Sequence, residues 1–285
     1  MARRSSLRLG RHAVPVPAIM GIINATPDSF SDGGEAQEPA AAVARAHSLI
    51  QAGAHLLDLG AESTRPGAAE ISTDEEWQRL QPVLRALLAD GPQVPITIDT
   101  RRPEIAARAL ALGAHGINDV GGQADADMVA LAIRHRVPWI AMHGYPAVAE
   151  KKPPAVVADP SEIAAIFDAL AARARRATAQ GLAPEQIWLD PGLGFGKSAT
   201  TSLAVLNALE VVTSQPQPVL VGPSRKRFLH SSNIMQDRAT ADGNSGLACC
   251  LAAARGAAIF RVHEPAAVTG GIKFGSLAYA ASPGA

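Results

Sequence analysis

Eight short apolar runs, at 18–23, 55–59, 95–99, 115–118, 137–142, 186–190, 218–222 and 258–262, recur along this chain. Each is rich in Val, Ile and Leu with little polar alternation, the pattern of a strand buried on both faces of a parallel sheet. Between them lie Ala-rich stretches with helical character, at 39–51, 73–88, 103–112, 160–180 and 202–210. Pro103 and Pro160 stand where a first helical turn has no N–H to lose. Gly53, Gly113, Gly181 and Gly256 each follow a helical stretch and precede a strand, where a left-handed residue ends a helix. Strand–helix alternation specifies an α/β protein with a parallel sheet. Eight strands in one unbroken series predict a single closed (β/α)8 TIM barrel, with its active site at the C-terminal ends of the strands. A doubly wound sheet would carry fewer strands and a glycine-rich turn after the first.

The 285 residues are close to the ~250 of one barrel, and no linker divides them. The reading is therefore one domain over 1–285, with 1–14 as an N-terminal extension and a last helix over 265–281. Hydrophobic residues make up 47%, enough for a large core. Lys plus Arg and Asp plus Glu both number 26, which argues against a nucleic-acid footprint. The basic start lacks the apolar segment of a secretory signal, and no apolar run has the ~18 residues of a membrane span. Cys249 and Cys250 sit in an Ala/Leu-rich segment and read as small hydrophobes. A cytoplasmic enzyme is the expectation.

The runs end in polar residues, and these ends carry the chemistry. Asn24, Asp99, Asn118 and Asp190 close four of them, and Arg261-Val-His263 closes the last. A carboxylate accepts two hydrogen bonds side by side, which suits the amino/imino edge of a guanidine-like heterocycle. Asp99 and Asp190 stand open to a second reading as helix caps. Asn118-Asp119 offers two candidates, with Asn118 the preferred ligand. Ser224-Arg225-Lys226-Arg227 reads either as a solvated basic turn or as the anion-binding loop common after the seventh strand of a barrel. Arg261 and His263 alternate onto one face beside the first strand, where Asn24 would complete a pyrophosphate pocket. Asp190-Pro-Gly-Leu-Gly-Phe-Gly-Lys197-Ser198 imitates a phosphate loop, yet Pro191 stands five positions before Gly196, where the P-loop needs glycine. Here the glycines are read as letting backbone pass close to a flat ligand. The loops 26–34 and 63–67 read as lids over the barrel mouth.

Asn24-Ala-Thr-Pro-Asp28-Ser-Phe30-Ser-Asp32-Gly-Gly34, Gly60-Ala-Glu-Ser-Thr64-Arg65-Pro66-Gly67, Thr97-Ile-Asp99-Thr100, Ile117-Asn-Asp119, Asp190 to Lys197, Ser224-Arg-Lys226 and Arg261-Val-His263 occur in one order along nearly the whole chain. Together they resemble the dihydropteroate synthases. The resemblance implies condensation of 7,8-dihydropterin pyrophosphate with p-aminobenzoate, giving 7,8-dihydropteroate and pyrophosphate. It implies pterin binding by Asp99, Asn118, Asp190, Phe195 and Lys226. Pyrophosphate would lie on Asn24, Thr64, Arg261 and His263, with Mg2+ at Asn24. A p-aminobenzoate lid would comprise Asp28, Phe30, Thr64, Arg65 and Pro66, and the catalytic set would be Asp32, Asp99, Asp190 and Lys226. A homodimer without membrane or nucleic-acid partners completes the expectation. Within the same fold, a methyltetrahydrofolate-binding methyltransferase would share the pterin-reading Asp and Asn but would not need the Arg261/His263 corner. A non-catalytic pterin-binding paralogue is the rival from another class, and the intact lids and anion corner argue against it. No Ser–His–Asp set or zinc signature is visible.

Overall fold

The computed structural model describes residues 5–25, 38–62, 70–91, 94–122, 125–144, 158–230 and 237–282. Strands β3 (Ala18–Asn24), β4 (Leu56–Gly60), β5 (Ile96–Asp99), β6 (Gly116–Asp119), β7 (Trp139–Met142) and β8 (Ile187–Asp190) pair consecutively and in parallel. On the other side β10 (Ile259–Val262) pairs with β3 and with the two-residue β9 (Leu220–Val221). Leu189 N donates to Pro218 O at 2.9 Å and Leu189 bridges to Val219, which closes β8 on β9. The eight apolar runs are thus the eight barrel strands, with ends that differ from the runs by one or two residues. β9 is shortest because Pro218 and Pro223 flank it and neither has an N–H to give a ladder.

Around the barrel run α1 (Glu38–Gln51), α2 (Thr73–Ala89), α3 (Pro103–Leu112), α4 (Asp125–His135), α5 (Pro160–Ala179), α6 (Ala199–Asn207), α7 (Glu210–Thr213), α8 (Arg238–Ala254) and α9 (Pro265–Ala280). Gly53, Gly113, Gly181 and Gly256 have φ of +104°, +116°, +102° and +86°, as their positions require. The helix expected over 202–210 is found with other ends. Ser198 accepts from Thr201 N at 2.9 Å and starts α6 three residues earlier, and the stretch splits before α7. A cap decides where a helix begins; an Ala-rich stretch does not mark the start.

Side-chain parity divides the protein into two cores. Residues pointing outward from the strands, such as Ile19, Ile23, Leu57, Leu59, Ile98 and Leu189, pack against the helices. Those pointing inward at the lower half, Ala18, Met20, Leu56, Ile140, Trp188, Leu220 and Ile259, form a separate apolar plug. The segment read as an N-terminal extension is part of that plug. β1 (Ser6–Leu9) and β2 (His12–Pro15) form an antiparallel hairpin whose Leu7, Leu9 and Val14 are buried against the barrel floor. The same inward parity, continued upward, brings polar side chains to the other end.

Two histidines seal backbone donors at the barrel's lower rim. His55 Nδ1 accepts from Ile19 N at 3.0 Å, and His115 Nδ1 accepts from Ile96 N at 3.2 Å. Accepting at Nδ1 requires that nitrogen to carry no proton. Burial lowers both pKa values, that of His115 to about 4, with His12 and Arg11 adding to the fall. Because the folded values lie below the ~6.5 of an unfolded histidine, the unfolded chain takes up the proton first. Their contribution to stability is complete above about pH 6.5 and is lost as pH falls toward 4. The urea midpoint should therefore drop between pH 7 and pH 4.5, and the drop should be smaller in His115→Gln. Equal drops in both proteins would remove His115 from the account.

Candidate active site

The strand register lines up the site. Asn24 on β3 pairs with Gly60 on β4, Gly60 with Asp99 on β5, and Asp99 with Asn118 on β6. One level of the barrel therefore carries an amide, a gap, a carboxylate and an amide. A Cβ at Gly60 would stand 3.2 Å from the Asp99 Cβ, so glycine there leaves room for the acid. One residue pair lower, Asp58 on β4 lies beside Thr97 on β5.

Arg261 binds this row from below. Its Nε donates to Asp58 Oδ2 at 2.6 Å and its Nη2 to Asp99 Oδ2 at 2.5 Å. Asn118 Nδ2 donates to Asp58 Oδ2 at 2.9 Å, and Thr97 Oγ1 to Asp58 Oδ1 at 2.5 Å. Asp58 is wholly buried and takes bonds from three strands. Asn118 Oδ1 is also buried and has no hydrogen-bond partner among the described residues, so this acceptor awaits a donor. Burial pushes the Asp99 carboxyl up, to about 7, against the pull of Arg261, and Asp58, Glu76 and Glu62 add to the rise. Asp99 is not a helix cap: Arg102 occupies that position of α3, without a side-chain capping bond.

Asp190 ends β8 and is 5% exposed. Its Oδ1 accepts from Gly192 N at 2.7 Å, which turns the following loop, while Ser198 caps α6. Burial raises its pKa against the pull of Lys226 and the Gly192 N–H. Lys226, half-buried opposite, is pushed down by burial to about 8 against the pull of Asp190. Its Nζ lies 4.3 Å from the centroid of the Phe195 ring and donates to Leu193 O. Lys226 N donates to Pro223 O at 3.2 Å, so Pro223 starts the turn that presents this lysine. The basic run thus divides: Arg225 is held by Asp242 through bonds of 2.7 and 2.9 Å, Arg227 is exposed, and Lys226 faces the ring.

His263 is in different company from Arg261. Its Nδ1 lies 3.0 Å from Ser224 Oγ, and its backbone N donates to the same oxygen at 3.1 Å. Arg45 of α1 donates to the His263 carbonyl. Of the expected leaving-group corner of Asn24, Arg261 and His263, Arg261 is bonded to Asp58 and Asp99 while His263 pairs with Ser224. Arg261 reaches inward and is shared by two buried carboxylates, because its side chain spans the barrel mouth. Asp28, Phe30, Asp32, Thr64, Arg65 and Pro66, with the two expected lids, lie outside the described residues.

Several contributors lie outside the pattern of polar strand ends. Asp58 was hidden inside Leu57-Asp58-Leu59; a lone acid within a buried strand was the available signal, since it demands a buried partner. Asp119, the passed-over neighbour of Asn118, is structural: it accepts from Gly121 N, Gly122 N, Trp139 Nε1 and Arg173 Nη2. Glu62 takes four bonds of 2.9–3.2 Å from Arg101 and Arg102. Burial raises its pKa, but the two arginines more than offset that and hold it low. Glu76, wholly buried, takes Thr100 Oγ1 at 2.7 Å and also Arg102. Nothing local in the sequence announced these pairings.

A parallel barrel whose mouth carries three buried acids, an unmatched amide oxygen and a lysine against an aromatic ring defines a binding enzyme for a flat, polar heterocycle. The chain belongs to the pterin binding enzyme family, whose model matches residues 20–263. It is 40% identical over 250 residues to the dihydropteroate synthase of Synechocystis, covering 86% of this chain and 84% of that one. The dihydropteroate synthase of Xanthomonas albilineans, solved with 4-aminobenzoic acid, superposes with a TM-score of 0.85 at 35% identity, over 98% of this chain and 99% of that one. The same enzyme in complex with 7,8-dihydropteroate gives 0.82 at 33%, over 98% and 100%.

Proposed function

We infer that this chain is a dihydropteroate synthase, joining the methylene carbon of 7,8-dihydropterin pyrophosphate to the amine of p-aminobenzoate. The observation that carries the reading is the polar row at the barrel mouth, with its family match and full-length likeness to such enzymes. A pterin's amino and ring N–H groups suit Asp190 and the Asn118 oxygen, and its ring acceptors suit Lys226. Phe195 offers the neighbouring apolar edge. The reaction breaks the carbon–oxygen bond to the diphosphate and forms a carbon–nitrogen bond, and the arylamine then loses a proton. A neutral arylamine needs no strong base, so the demand falls on stabilising charge as the bond breaks. Asp99 and Asp190 favour positive charge on the pterin. Ser224, His263 and Arg261 offer donors on the side where the diphosphate leaves.

Among the described residues no group of three His, Cys, Asp or Glu is placed to hold a metal ion. Mg2+ typically keeps waters and takes one or two protein ligands plus substrate phosphates, so the Asn24 amide oxygen beside a diphosphate fits it. Bound there, Mg2+ would offset the leaving group's charge. Among the described residues no helix is long and apolar enough to cross a membrane.

A homodimer is part of the same reading. Leu247 (73% exposed) and Leu251 on α8 and Phe274 (69%) and Leu277 (71%) on α9 give two adjoining helices a bare apolar face. α8 and α9 meet through glycines so closely that a Cβ at Gly275 would stand 2.1 Å from Cys250 O. That rigid pair offers a self-complementary surface of the kind a two-fold dimer uses. Phe274→Glu should shift the sedimentation coefficient from dimer to monomer; a wild-type monomer at micromolar concentration would rule the dimer out.

The decisive assay follows pyrophosphate from dihydropterin pyrophosphate, with and without p-aminobenzoate. Release dependent on the arylamine, with dihydropteroate formed, is the expected result. No release with either substrate set would overturn the reading.

A further inference from the structure

The Gly196-Lys197-Ser198 triplet imitates a phosphate loop, yet Lys197 turns away from any such role. It is only 9% exposed, and its Nζ donates to His143 O at 2.9 Å, Gly192 O at 3.0 Å and Phe195 O at 3.3 Å. Resting on the pterin-site reading above, we propose that Lys197 is a positioning residue. Its side chain ties the loop after β7 to the loop after β8 and thereby holds Phe195 against Lys226.

The two loops abut at this point. A Cβ on Gly192 would stand 2.0 Å from His143 O, and Gly192 has φ of +62°, so glycine alone permits the approach. His143 N already donates to Asp190 O at 2.8 Å, joining the strand ends; Lys197 continues that seam beyond them. From Lys197 the constraint passes outward along the loop. Phe195 N donates to Gly192 O at 3.1 Å, and the ring then lies over Lys226 Nζ, which itself donates to Leu193 O. Both residues that would line the pterin site thus hang on carbonyls of one short loop. Three converging carbonyls suit an ammonium, which has three N–H groups to give. An apolar side chain of equal length would fill the space and donate to none of them, although burying a cation is the costlier choice. Burial lowers the Lys197 pKa to about 7, against the pull of Asp190 and with Lys226 lowering it further, so this brace is held at an electrostatic cost.

The test compares Lys197→Met with wild type in steady-state kinetics and in hydrogen exchange without substrate. The Met side chain matches the buried shape, so the variant should melt as a folded protein. The KM for dihydropterin pyrophosphate should rise about tenfold or more, as for loss of hydrogen bonds to a charged group, while that for p-aminobenzoate stays unchanged. Exchange at the Phe195 amide should quicken, with β5 and β6 amides unaffected. Should Lys197→Met fail to fold, Lys197→Gln is read by the same two measurements. Equal rises in both KM values, or unaltered exchange at Phe195, would overturn the proposal. A wild-type protein that releases no pyrophosphate would defeat the reading of function instead, and the exchange comparison would still decide the brace.

Discussion

Replacing Arg261 with alanine should abolish most activity, weaken pterin binding and destabilise the fold together. The guanidinium donates to Asp58 and Asp99 at 2.6 and 2.5 Å, and Asp58 is wholly buried. Removing it leaves two neighbouring buried carboxylates without their cation. Breaking a buried pair by deleting one partner costs about 3–5 kcal/mol, because the remaining charge stays desolvated. Binding of a pterin lacking the diphosphate should fall with it, since Asp99 loses its bond to Arg261 and Asn118 is left bonded to an Asp58 that has lost its cation. Titration calorimetry with pterin and with pyrophosphate separately, beside a urea melt, reads all three effects. A variant of wild-type stability that binds pterin normally and loses only pyrophosphate would return Arg261 to a pure leaving-group role.

Asp190→Asn should separate binding from folding. The asparagine oxygen can still accept the Gly192 N–H at the 2.7 Å position, so the loop after β8 keeps its turn. What disappears is the negative charge opposite Lys226 and an acceptor for the heterocycle's N–H groups. Truncating one side of a buried charge-assisted contact costs about 2–5 kcal/mol, or roughly thirtyfold to several thousandfold in affinity. The melting temperature should stay close to that of wild type. Normal dihydropterin affinity in the folded variant would show that Asp190 does not hold the ring.

The strand ends were legible in the sequence because parallel strands buried on both faces produce unbroken apolar runs, and a polar residue at the end of one stands out. Asn24, Asp99, Asn118 and Asp190 were visible for that reason. The turns between helix and strand were legible too, since Gly53, Gly113, Gly181 and Gly256 each occupy a left-handed position that glycine tolerates. Asp58 was not, because one acid flanked by Leu57 and Leu59 has the same local pattern whether it is a site residue or a structural one. For Lys197 the sequence excluded a phosphate loop through Pro191 but gave the side chain no partner, and only the course of the loop shows its nitrogen turned onto carbonyls.

Taken by itself, the sequence determined the class of fold, the level at which polar groups would gather, and the family to which the motifs belong. Those properties follow from backbone periodicity and burial, which act over a few residues and repeat at each strand. The tertiary structure alone decided the partners. Arg261 meets Asp58 across 203 residues and Asp99 across 162, a choice set by barrel register and the reach of one side chain. It also decided that the first residues plug the floor, because Leu7, Leu9 and Val14 find there the inward-facing apolar side chains that the closed barrel leaves uncovered. Neither outcome has a local signature, since each depends on which strand ends the closed sheet brings within contact distance.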